Sequence, residues 1–391
     1  MEQIQRLYPI GIQTFSEIRT KRYLYIDKTA YVYHMTHSAS KYMFLTRPRR
    51  FGKSLLVSTL HSYFEGKKEL FENLAIEKLE KEWTAYPVLH FDMSTAKHAD
   101  RNQLVSELER KLLGYEKIYG RGEGDIEINQ RLQGLIERAY TQTGQQVIVL
   151  IDEYDTPLIE AYTDGYWDEM ITTCRQLFHS TLKENDYLGR AIITGVTKVS
   201  KNSLFSDLNN LLVATVTDDI YTDCCGFTEQ EVMDALKCQN IDDMKKVKEM
   251  YDGFIIGHQK DIYNPWSIVN YMKERLLRSY WILTSSNKLI GDIICRHPYD
   301  KKYEIEQLMI GKPIHKVINE NITFQYLDGD ENSLWSLFLA VGYIKAENVV
   351  KDNEWTECDV SVTNKEVMSM FRTQIIAMFS NGNIAYENFT R

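Results

Sequence analysis

The triplet Gly52-Lys53-Ser54 closes a run, Arg47-Pro48-Arg49-Arg50-Phe51-Gly52-Lys53-Ser54, whose residue types suit phosphate binding. A glycine there lets the main chain approach an anion with no Cβ in the way. Successive N–H groups at the start of a helix then complete the cradle. Lys53 is placed to reach β- and γ-phosphates, and the Ser54 hydroxyl to ligate Mg²⁺. The general phosphate-loop pattern carries a further glycine where this chain has Arg47. The stretch from Lys41 to Ser54 contains five basic residues and no acid, which favours an anion over a plain solvated turn.

A second group completes the chemistry. Val147 to Ile151 is a continuous apolar run that ends in Asp152-Glu153. A buried strand delivering two acids at its C-terminal end suits a metal ligand beside a base. Asp152 would hold Mg²⁺, directly or through water, and Glu153 would polarise the attacking water. Thr194-Gly195-Val196-Thr197-Lys198 ends another apolar run and offers a polar sensor, Thr194 or Thr197. The residues assigned to catalysis are therefore Glu153, Lys53 and Thr194. Arg49, Arg50, Phe51, Gly52, Lys53, Ser54 and Leu55 are assigned to the nucleotide, and Ser54 and Asp152 to the metal. The implied cofactors are ATP and Mg²⁺.

These groups need a sheet to bring them together. Strands are expected at Tyr42–Leu45, Pro87–Asp92, Val147–Ile151, Ala191–Thr194 and Leu211–Val216. Helices are expected at about 54–64, 101–114 and 129–143, the last closed by Gly144. Strands alternating with helices over some 190 residues imply an α/β fold with a mostly parallel sheet and helices on both faces. Near Cys225 the pattern changes. Thr228 and Glu231 form a capping box, with Phe227 and Val232 as a hydrophobic staple, so a helical lid is expected to start there. A core helix running into a turn is expected over Leu334–Tyr343. The expected divisions are 1–222 for the nucleotide-binding core, 223–280 for the lid and 281–391 for a C-terminal domain.

Composition narrows the class. The chain has 391 residues, 43% of them apolar and 26% charged, as in ordinary globular proteins. Its net charge of −9 argues against coating nucleic acid through bulk charge. Six cysteines include the adjacent pair Cys224-Cys225 and no C-x-x-C spacing, so reduced, mostly buried thiols in a cytoplasmic protein are expected. The start of the chain lacks an apolar secretory core, and no apolar run approaches a membrane span.

The motifs resemble those of the AAA-ATPase-like family of bacterial P-loop proteins. That family carries the same Arg-Pro-Arg-Arg-Phe-Gly-Lys-Ser loop, so Arg47 in place of glycine is typical of it. Pro9-Ile10-Gly11, Tyr25-Ile26-Asp27-Lys28-Thr29, Ile151-Asp152-Glu153-Tyr154-Asp155-Thr156-Pro157, Thr194-Gly195-Val196 and Tyr263-Asn264-Pro265-Trp266-Ser267 resemble its further motifs, in order. The resemblance covers residues 8 to 280 closely. It implies a P-loop NTPase core of the additional-strand type, a lid, and a helical or winged-helix-like C-terminal domain. It also offers Pro265 as a contact to the nucleotide base, although Asn264-Pro265 equally suits a helix-starting turn. Many family members continue into a nuclease domain of the PD-(D/E)xK type. Val362-Thr363-Asn364-Lys365-Glu366 looks like the junction before it, yet no E-x-K follows Trp281, so nuclease activity is not expected.

Two kinds of function follow. One is Mg²⁺-dependent ATP binding and hydrolysis driving a conformational switch. The other is a non-hydrolysing, nucleotide-dependent module that binds protein or DNA, in a mobile-element or defence context by family analogy alone. Arg47, Arg49 and Arg50 are expected to pair with local acids such as Asp155; contacts across a homo-oligomer, or a nucleic-acid surface, are the alternatives.

Overall fold

The computed structural model describes residues 7–94, 100–198, 208, 210–281, 299–319, 332–352 and 355–381. Cys295 lies outside them; Cys174, Cys224, Cys225 and Cys358 are buried and Cys238 is exposed. The chain forms two compact units. One comprises Gly11–Arg47 and Gly52–Thr215, and the other takes Met1–Ile10, Pro48–Phe51 and Val216–Arg391.

The first unit is built on five strands: β1 (Tyr42–Thr46), β2 (Val88–Asp92), β3 (Val147–Asp152), β4 (Leu188–Gly195) and β5 (Leu211–Ala214). They pair in the order β2-β3-β4-β1-β5, and every pairing is parallel. Every residue of β1 and β3 is buried, which explains their unbroken apolar character: helices cover both faces of a parallel sheet. The expected strands are all present, four of them within two residues at each end, while β4 starts at Leu188, three residues before the expected Ala191. Helix Lys53–Phe64 follows β1, helix Ile128–Thr143 precedes β3, and Gly144 closes the latter in a left-handed conformation at φ 69°. Strand order is the feature that matters for chemistry, because β4 lies between β1 and β3. The C-terminal ends of these three strands therefore sit side by side, where open parallel sheets bind ligands.

The second unit mixes helices with two small antiparallel sheets. Thr228 caps helix Glu229–Cys238: its hydroxyl accepts the Glu231 N–H and its own N–H donates to the Glu231 carboxylate, completing the expected box. Strands β6 (Phe227–Thr228), β7 (Phe254–Ile256) and β8 (Gln259–Tyr263) pair in the order β6-β8-β7. Strands β9 (Ile314–Ile318), β10 (Ile344–Lys351) and β11 (Thr356–Val362) pair as β10-β11-β9. Helix Ser333–Val341 ends at Gly342, as the apolar run into a glycine predicts. Trp281 links the centre of this unit, packing edge-on against Phe254 at 5.7 Å and Tyr343 at 5.6 Å. Glu366 is fully buried beside it and accepts hydrogen bonds from the Trp281 N–H and the Ser267 hydroxyl. Among the described residues no helix is long and apolar enough to cross a membrane.

Candidate functional site

Helix Lys53–Phe64 starts at Gly52, whose φ of 96° is a left-handed conformation that favours glycine. A Cβ on Gly52 would meet no protein atom within 4 Å, so glycine is required there by the turn and not by crowding. The first-turn N–H groups of Lys53, Ser54 and Leu55 emerge at the N-terminal end of the helix, where the helix dipole favours an anion. Arg50, at φ 64°, makes a second left-handed turn just before them.

Lys53 is 2% exposed, and its ammonium donates to the Arg47 carbonyl at 3.1 Å and pairs with Glu153 at 3.2 Å. The lysine and the candidate base are therefore already in contact. Arg47 is wholly buried at the end of β1. One of its terminal nitrogens donates to the carbonyls of Thr46, Ala214 and Thr215, tying the end of β1 to that of β5.

Asp152 ends β3 and is 2% exposed. It accepts a hydrogen bond from the Thr194 hydroxyl at the end of β4, and Ser54 bonds to the same carboxyl. Burial, with the adjacent Glu153 charge, pushes the Asp152 pKa up to about 6, while Ser54, Thr194 and Lys53 act in the opposite direction. A dication against this carboxylate would relieve the cost of its burial. Ser54 and Asp152 offer two protein oxygens, as suits Mg²⁺, which keeps waters and phosphate oxygens in its remaining positions. The donor set thus fits this metal.

Of the two threonines offered as sensors, Thr194 meets Asp152. Thr197 is turned elsewhere, its hydroxyl and N–H both donating to Asp155. That arrangement corrects one expectation. Asp155 is not a partner for the loop arginines; its buried carboxylate is taken up by the Val196 and Thr197 main-chain N–H groups and the Thr197 hydroxyl. Arg47 instead binds carbonyls, and the Arg50 guanidinium lies over the Trp266 ring at 4.7 Å.

Other loop residues are held through the second unit. The Phe51 side chain is 1% exposed and packs edge-on against Phe254 at 4.8 Å, while its carbonyl accepts the Gly226 N–H. The Arg49 carbonyl accepts from the Asn264 side chain at 3.3 Å. Pro265 is the first residue of helix Pro265–Glu274, capped by Asn264, so Asn264-Pro265 does form the helix-starting turn.

Sequence reasoning missed Lys111. It lies on helix Arg101–Tyr119, and its ammonium donates to the main-chain carbonyl of Asp92, the residue paired with Asp152 across β2 and β3. Burial holds its pKa below the usual lysine value. Its only signal was its place between Leu108 and Leu112 on the buried stripe of that helix.

The family profile described as Predicted AAA-ATPase matches residues 9–205, just over half of the chain. The chain belongs to this predicted AAA-ATPase family. The match spans the loop, Asp152-Glu153 and Thr194 together, so the residues brought to one sheet edge are also those inside the family region. The chain is also 33% identical over 291 residues to a protein of Azotobacter chroococcum mcd 1 described as "Uncharacterized protein in vnfD 5'region". That alignment covers 73% of this chain and 55% of the relative, so the chain matches little more than half of the relative's length. Nucleotide binding is the common expectation for this AAA-ATPase family.

Proposed function

We propose that the chain is a Mg²⁺-dependent ATPase whose turnover drives a conformational switch. The observation that carries this reading is the convergence of Lys53, Ser54, Thr194, Asp152 and Glu153 at the ends of three adjacent strands. The first-turn N–H groups and Lys53 take the phosphates. A phosphate oxygen arriving at the Lys53 ammonium competes with Glu153 for it and frees the Glu153 carboxylate to accept a proton from water. Ser54 and Asp152 would hold the metal, which would supply positive charge against the transferring phosphoryl group. Thr194 fixes the orientation of Asp152. The exchange of partners at Lys53 is the switching event, since it distinguishes the occupied loop from the empty one.

The test measures ATP binding and phosphate release with Mg²⁺ for the wild type, Lys53→Ala and Glu153→Gln. Lys53→Ala is expected to lose binding. Glu153→Gln is expected to keep binding and lose turnover by about a hundredfold or more. Binding without turnover in the wild type would replace the ATPase by a non-hydrolysing nucleotide-dependent module. No binding in the wild type would end both readings.

A further inference from the structure

Glu153 sits at φ 52°, a left-handed conformation that is strained for a non-glycine residue. The residues on either side of it are pinned. Before it, Asp152 is held in the β3 ladder, accepts from Thr194, and offers its carbonyl to the Met93 N–H. After it, the Tyr154 N–H donates to the Thr194 carbonyl at 3.0 Å and the Tyr154 hydroxyl to the Thr197 carbonyl at 2.8 Å.

Asp155 completes the attachment in an unusual way. It stands at the N-cap position of helix Thr156–Asp164, with Pro157 behind it, yet its side chain makes no cap hydrogen bond. The carboxylate turns instead to the tail of β4, accepting from Val196 N–H at 3.1 Å, Thr197 N–H at 2.7 Å and the Thr197 hydroxyl at 2.8 Å. Gly195 makes room for this. A Cβ there would lie 2.6 Å from the Tyr154 ring and 2.7 Å from an Asp155 oxygen. A fully buried carboxylate that gives up its own helix cap for another strand's tail is serving that tail.

We propose that Tyr154 and Asp155 are positioning residues for Glu153: they clamp the chain after β3 to the tail of β4 and so hold the base in its left-handed conformation. This rests on Glu153 acting as the base of an ATPase. The clamp touches neither phosphate nor metal, so its loss changes the chemical step and leaves substrate binding alone.

Asp155→Asn is the direct variant, but it disturbs a fully buried site and risks the fold. Tyr154→Phe deletes only the hydroxyl, and Thr197→Val replaces a hydroxyl by a methyl of similar size, with Thr197→Ser restoring it. Steady-state ATP turnover with Mg²⁺ is measured for these three and the wild type, alongside thermal midpoints. Tyr154→Phe and Thr197→Val are expected to lower kcat by about tenfold, with KM within about twofold of wild type. Thr197→Ser is expected to recover most of the rate. Unchanged kcat in the first two, with only a lowered midpoint, would make the clamp merely structural and overturn the inference. A parallel change of kcat and KM would overturn it as well. If the wild type shows no turnover, the ATPase reading falls and takes this inference with it; turnover that the variants do not affect removes the inference alone.

Discussion

The acidic edge and the loop Pro48–Phe51 are built in opposite ways. At the edge, side chains are held by neighbours at or just past the ends of adjacent strands of one sheet: Asp152 by Thr194, Asp155 by Val196 and Thr197. In the loop the main chain is what is held, and its partners come from far along the sequence. Gly226 binds the Phe51 carbonyl, Asn264 binds the Arg49 carbonyl, and Phe254 packs on the Phe51 ring. Side-chain geometry at the edge is thus a property of strand register, whereas loop geometry is a property of tertiary packing contributed by residues more than 170 positions away.

The largest effect expected from this contrast is at Phe51. Because its ring is buried in the core, Phe51→Ala should cost about 3–5 kcal/mol of stability, read by denaturant unfolding. A loss below about 1 kcal/mol would mean that the loop is not held by packing, and the contrast would fail.

At the edge the corresponding probe is pH. Asp152 has a folded-state pKa near 6 against 3.8 for the ordinary group, raised first by burial. A raised carboxyl pKa means that the folded protein takes up the proton more readily than the unfolded chain. Ionised Asp152 therefore costs stability at neutral pH, and stability is regained as pH falls from about 7 through 6 toward 4. Without metal, the gain is at most about 3 kcal/mol. Asp252 of the second unit, also pushed up to about 6 by burial and its neighbour Asp261, adds a gain of the same sign. Thermal unfolding of the wild type and Asp152→Asn in chelator, from pH 7.5 to 5, isolates the Asp152 part. The variant should lose that part of the slope and keep the rest; identical slopes would show that Asp152 does not titrate there.

The smallest effect is expected from Arg50→Met. It removes a guanidinium stacked on Trp266 but keeps an apolar side chain, and should cost about 1 kcal/mol or less in stability. A loss above about 2 kcal/mol would assign Arg50 a buried role like that of Arg47.

The same contrast explains what was legible in the sequence. Val147–Ile151 with Asp152-Glu153, the glycine-lysine-serine turn, and the Thr228–Glu231 capping box are local patterns, each set by its own period or turn chemistry. All three reappear where they were expected. Arg47 and Asp155 were misread because their partners lie far along the sequence. A buried arginine capping strand-end carbonyls looks, in one dimension, like one more basic loop residue. Asp155 before Thr156-Pro157 looks like an ordinary helix cap. Lys111 beside Arg110 looks like a solvated face.

Placing β4 between β1 and β3 makes the sheet a ruler for the chemistry. Thr46 is aligned with Gly195, and Ile151 with Ile193, so the spacing from lysine to carboxylate is counted out in main-chain hydrogen bonds. A slip of one residue in β4 would carry Thr194 about 3.3 Å along the strand and turn its hydroxyl to the other face of the sheet. The β3–β4 register already shifts by one residue between Leu188 and Arg190, so added length is absorbed at that end of the strand and not between Arg190 and Thr194. Reach between Asp152 and Lys53 is digital, fixed in whole residues and closed to gradual adjustment.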